Sequence, residues 1–155
     1  MKLRIFSSFL FAIVCLAAFV PANAQTVSGK LSANHVSRGS SIKGSVTLSL
    51  PEGLHVNSNK PSSEYLIATA VRISGEGLKV ISIDYPEGKN RKFQFSEEEL
   101  NVYEGEVVIP FTVLVPRGFR GDSVTVRAVL HYQACTDEVC YPPKNEEVKM
   151  TVSVK

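Results

Sequence analysis

Two cysteines, Cys135 and Cys140, stand in the segment Tyr132 to Pro143, which reads YQACTDEVCYPP. Four residues, Thr136-Asp137-Glu138-Val139, separate them, a usual length for a β-hairpin connection. At the closing pair of such a hairpin, facing Cα atoms lie about 4.5–5.5 Å apart, within disulfide range. A bridge there does one of two kinds of work. It pins a hairpin tip, or it exchanges electrons with a partner's thiols. As a staple it is weak: closing about six residues restrains the unfolded chain by roughly 2 kcal/mol. Asp137 and Glu138 disfavour a neighbouring thiolate and slow adventitious exchange. Spacing and phase leave both readings open.

The compartment follows from the N-terminus. Lys2 and Arg4 precede an apolar run from Ile5 to Val20, and Ala22-Asn23-Ala24 offers a small-residue cleavage site before Gln25. Val14 is too bulky for a lipobox ahead of Cys15, so residues 1–24 read as a cleaved signal peptide. Cleavage after Ala24 leaves 131 residues and the two cysteines in an oxidising space, the periplasm. The formal charge of +2 falls to zero, because Lys2 and Arg4 leave with the signal. A nucleic-acid role loses its electrostatic footing. No later apolar run is long enough for stable membrane insertion.

The elements that must position the cysteines are strands. Period-two alternation marks Ile42 to Leu50, Val107 to Val115, Val124 to Ala134 and Val148 to Val154. Shorter runs cover Thr26 to Ala33, Ile67 to Ile73 and Leu78 to Asp84. Gly and Pro turns punctuate them, as in Pro51-Glu52-Gly53 and Tyr85-Pro86-Glu87-Gly88. The pattern predicts an all-β, immunoglobulin-like antiparallel sandwich in one domain, residues 25–155. One helical turn is expected at Ser96-Glu97-Glu98-Glu99, and the least regular stretches are Val56 to Glu64 and Lys89 to Asn101. Counting phase along Val124 to Ala134 puts Cys135 on the face opposite the core, with His131 and Gln133, where His131 can tune it.

Other chemistries are poorly supported. His35, His55 and His131 with two cysteines at C-x4-C spacing do not match a zinc knuckle. His55 reads as a turn-stabilising histidine. A Cys-His hydrolase requires a free thiol where a bridge is expected. The run Lys89-Asn90-Arg91-Lys92 reads as a solvated loop, and no phosphate-cradling glycine loop is present, so neither metal nor cofactor is expected.

The YQAC…CYPP pattern resembles the N-terminal periplasmic domain of the DsbD thiol:disulfide interchange family. Pro51-Glu52-Gly53-Leu54-His55-Val56-Asn57, Asn59-Lys60-Pro61, Tyr85-Pro86 and Val102-Tyr103-Glu104-Gly105 follow in the family's order. The resemblance implies an immunoglobulin-like fold whose cysteines shuttle between disulfide and dithiol. Electrons would arrive from a thioredoxin-like or membrane donor and leave to periplasmic disulfide-bearing clients. It implies that Cys140 is the sulfur attacked and Cys135 the resolving partner, under a cap loop bearing Phe93 or Phe95. The best-known members have one more residue between the cysteines and continue into membrane and thioredoxin-like domains. A stand-alone version would draw on a separate membrane electron carrier. The alternative is a non-enzymatic binding module with a structural hairpin disulfide.

Overall fold

The computed structural model describes residues 24–155, so the expected signal peptide, apart from Ala24, lies outside the described residues. The described chain is all strand: β1 (Thr26–Leu31), β2 (His35–Val36), β3 (Ser41–Ser49), β4 (His55–Asn57), β5 (Ala70–Ser74) and β6 (Lys79–Ile83). Then come β7 (Lys89–Lys92), β8 (Glu99–Glu104), β9 (Glu106–Leu114), β10 (Ser123–Tyr132), β11 (Ala134–Cys135) and β12 (Lys144–Val154). They form three four-stranded sheets, β1-β3-β9-β6, β2-β12-β10-β5 and β11-β4-β8-β7. Every pairing is antiparallel except that of the two-residue β2 with β12.

The first two sheets make an immunoglobulin-like sandwich, with the alternating residues supplying the core. Val107, Ile109, Phe111 and Val113 of β9 are buried with Val124, Val126, Ala128, Leu130 and Tyr132 of β10. The third sheet is built where sandwich strands bend and change partners, a common way to make a sheet corner. β3 leads to β4 through Pro51 and Gly53, β8 runs into β9 at Gly105, and β10 gives way to β11 at Gln133. Gly105 has φ +68°, a left-handed conformation that a side chain would strain, and its carbonyl accepts the Leu50 N–H at 2.9 Å. Val56, Tyr103 and Ala134 tie the third sheet into the main core.

Several expectations are corrected. Ile67 precedes β5, where its carbonyl accepts a bond from Asn57 Nδ2 at 3.2 Å. Ser96 to Glu99 forms no helical turn: Ser96 Oγ accepts the Glu98 N–H, and Glu99 pairs with Lys92. A lone helical turn carries the full cost of nucleation, and the ladder takes the residue it would need. Lys89 to Lys92 is the edge strand β7, whose exposed, mostly cationic residues discourage further strand addition. Another concerns the face of Cys135 and belongs to the site. Among the described residues no helix is long and apolar enough to cross a membrane.

Candidate functional site

Cys135 and Cys140 are bridged, with Cα atoms 4.0 Å apart. The Thr136 N–H donates to the Val139 carbonyl at 2.8 Å, and the Tyr141 N–H donates to the Ala134 carbonyl at 2.9 Å. The cysteines therefore occupy the pair between two hydrogen-bonded rungs, the position where antiparallel strands bring side chains closest. Thr136 Oγ1 accepts the N–H groups of Glu138 and Val139 at 3.2 and 3.1 Å, so the four-residue turn is held from within. Gln133 Nε2 donates to the Tyr141 carbonyl at 2.9 Å and braces the hairpin's base.

The two sulfurs do not share one environment. Cys135 is 2% exposed, whereas Cys140 is open to solvent. The phase of Val124 to Ala134 predicts Cys135 on the face opposite the core, with His131 and Gln133. The ladder of β10 ends at Tyr132, Gln133 breaks it, and both Ala134 and Cys135 are buried in β11. A strand that changes sheets resets which face its side chains meet. His131 stays behind on β10, with Nδ1 2.9 Å from Asn145 Oδ1. Asp137 and Glu138 occupy the exposed turn.

The neighbour of Cys135 is His55. The two residues face each other across the β11–β4 pair, and His55 faces Glu104 across the β4–β8 pair. Directly opposed residues project to the same side of a sheet, with Cβ atoms about 4.5–5.5 Å apart. A thiol-bearing, an imidazole and a carboxylate residue thus stand in one row across three strands. His55 is 3% exposed, and the Phe93 ring stacks on it at 4.2 Å and 23°. Phe93 is buried with Leu100 and Val102, Leu66 packs beside them, and Phe95 stacks outside Phe93 at 5.3 Å while remaining half exposed. Arg91 Nε lies 3.3 Å from Glu104 Oε1. A cavity of about 480 Å³ is lined by His55, Arg91, Glu104 and Asp137 together with the Leu50 to Leu54 turn and Gly105. Among the described residues no group of three or more His, Cys, Asp or Glu side chains gathers as a metal site.

The sequence predicts His55 as a turn-stabilising residue, whereas the structure places it in β4, opposite Cys135. The available signal was its place in the Gly53 to Asn57 stretch. Its contact with the cysteine hairpin depends on a pairing between residues 80 positions apart.

Burial holds the His55 imidazole below the ordinary histidine pKa; Asp137 and Glu104 pull it back up, and Arg91 adds to the lowering. The unfolded chain takes up this proton near pH 6.5, while the folded chain resists it. The contribution to stability is therefore complete above about pH 6.5 and is lost as pH falls below that value. Urea midpoints measured from about pH 7.5 down to 5.5 should fall less in His55→Phe than in wild type. Parallel slopes in the two proteins would reject the assignment.

The family model for "Thiol:disulfide interchange protein DsbD, N-terminal" matches residues 24–152. The thiol:disulfide interchange protein DsbD of Actinobacillus pleuropneumoniae serotype 5b (strain L20) is 20% identical over 142 residues, which cover 92% of this chain. The match spans only 23% of that relative's length. The N-terminal periplasmic domain of ScsB from Proteus mirabilis superposes with a TM-score of 0.56 at 15% identity, covering 81% of this chain and 45% of that one. The reduced DsbD N-terminal domain of Neisseria meningitidis gives 0.49 at 19% identity, covering 82% and 88%.

Proposed function

Since the chain belongs to the DsbD N-terminal domain family, we propose that it is a thiol:disulfide interchange domain acting through the Cys135–Cys140 pair. The observation that carries this reading is the unequal burial of the two sulfurs: Cys140 meets solvent, while Cys135 lies behind it. A donor thiolate attacks Cys140 Sγ in line with the S–S bond. A donor–Cys140 disulfide forms, and Cys135 leaves as the thiolate. A second donor thiol then attacks its own sulfur in that mixed disulfide, releasing Cys140 as thiolate and leaving the donor oxidised. Two electrons have entered the pair. In the outward half-reaction the Cys140 thiolate attacks a client disulfide and displaces one client thiolate. Cys135 then attacks Cys140 Sγ, restoring the bridge and freeing the second client thiolate. Exposure suits Cys140 to intermolecular attack, and burial reserves Cys135 for the step inside the protein.

The proposed donor is a thioredoxin-like or membrane electron-carrier protein, and the clients are disulfide-bearing proteins of the periplasm. The N-terminal charge pattern and the absence of an apolar spanning helix among the described residues fit export to that compartment. Phe93, stacked over the neighbour of Cys135, is the proposed shield, with Phe95 as its outer layer. The proposed tuning of the pair falls to Asp137 by its place in the His55 cavity, more than to Glu138 or His131.

Trapping tests the reading. In Cys135→Ala, a mixed disulfide at Cys140 has no internal thiol to resolve it, so incubation with periplasmic extract should accumulate adducts on non-reducing gels. Cys140→Ala should accumulate none. Absence of Cys140 adducts, together with a wild-type bridge that a thioredoxin-like donor leaves oxidised, would reduce the hairpin to a local staple in a binding module.

A further inference from the structure

A buried sulfur that must act as a nucleophile faces a physical difficulty. Cys135 is 2% exposed, and taking a sulfur out of water disfavours its charged form. The charged groups around the row are Asp137 from the hairpin turn, Glu104 from β8 and Arg91 from β7, with Arg91 paired to Glu104. That pairing offsets part of the negative charge but supplies no base. The residue directly opposite Cys135 can.

We propose that His55 is the proton acceptor for Cys135 when that thiol closes the bridge, and the proton donor when the bridge opens. The proposal rests on the interchange reading and adds a third residue to its chemistry. In the closing step the Cys135 S–H proton passes to the His55 imidazole. The new thiolate attacks Cys140 Sγ, the Cys135–Cys140 bond forms, and the Cys140–client S–S bond breaks. The electron pair of the broken bond leaves on the client thiolate, and the imidazolium then sheds its proton to water in the adjoining cavity. Opening runs the same path backwards: Cys135 departs as thiolate and takes a proton from the imidazolium.

Three observations converge on the row. His55 and Cys135 are opposed in the ladder, and both are buried. The Phe93 stack holds the imidazole plane in place. The cavity containing His55 also contains Asp137 and Arg91, polar groups that can hold water for proton release. Stacking alone is served by any aromatic ring; placing a titratable ring beside the buried sulfur adds proton transfer. Because burial pushes the imidazole pKa down, it is neutral and ready to accept near neutral pH.

The test separates the two thiols by kinetics. Reduced wild type, His55→Phe and His55→Gln are each mixed with one equivalent of a chromogenic aromatic disulfide. Cys140 releases the first coloured thiolate in a phase that scales with reagent. Cys135 releases the second in a phase that does not. His55→Phe keeps an aromatic surface for Phe93, and His55→Gln keeps hydrogen-bonding capacity; neither accepts a proton. In both variants the second phase should slow by about 10²-fold near neutral pH, a typical general-base effect, with the first phase unchanged. Its rate should then climb with pH in step with the thiolate fraction, where wild type is nearly flat. Wild-type second-phase rates and pH profile in both variants would overturn the proposal, as would equal slowing of both phases without a change in profile. Neither result touches the interchange reading, which stands or falls on Cys140 trapping and donor reduction.

Discussion

Replacing Phe93 with Ala should cost about 3 kcal/mol of folding stability, the lower end for a buried phenylalanine. The same change should make the reduced Cys135 alkylate faster. Phe93 is 7% exposed and belongs to a small satellite cluster with Leu100 and Val102, apart from the main core. Its ring covers His55, and His55 is the cross-strand neighbour of Cys135. Removing it takes away packing and opens a route to the row. Phe95 provides the control. It is 51% exposed and contributes chiefly its stack on Phe93, so Phe95→Ala should cost about 1 kcal/mol or less and change access little. Urea unfolding gives the stabilities, and mass-resolved alkylation of the reduced protein gives the access rates. Equal effects from the two substitutions, or an unchanged Cys135 rate in Phe93→Ala, would remove Phe93 as a shield.

Reduction of the bridge should lower stability by only about 2 kcal/mol, the value expected for a six-residue loop. For a domain of this size that corresponds to a melting temperature lower by roughly 8 °C. The reason is topological. The bridge spans a sequence separation of five, so it removes little freedom from the unfolded chain. The turn keeps its rungs from Thr136 to Val139 and from Ala134 to Tyr141, and β11 keeps its pairing with β4. The main core draws on β3, β9, β10 and β12 without either sulfur. The proposed interchange requires a fold that persists in both redox states, and this small penalty permits it. Calorimetry with and without reductant measures the difference. Loss of the cooperative transition on reduction would identify the bridge as a structural requirement.

Much of the architecture was legible because long strands with one buried face carry their burial in their spelling. Val107 to Val115 and Val124 to Tyr132 alternate, and the structure buries the expected members of each. The third sheet was not legible for the opposite reason. β4 is three residues long and buried at every position, and β7 is exposed at every position, so neither shows period two. Both lie at or beside stretches that looked least regular, and together with β8 and β11 they form the sheet that carries the site.

By itself the sequence determined that two cysteines sit five positions apart on one hairpin, because turn length and strand pairing are local. It also determined a sandwich of alternating strands, because burying one face of a strand requires every second residue to be apolar. Which sulfur faces solvent was decided only by tertiary structure. The chain changes sheets at Gln133, and a side chain's direction beyond such a bend depends on the new partner strand. The same bend brings His55 opposite Cys135, a neighbour set by long-range hydrogen bonding that no local spacing encodes.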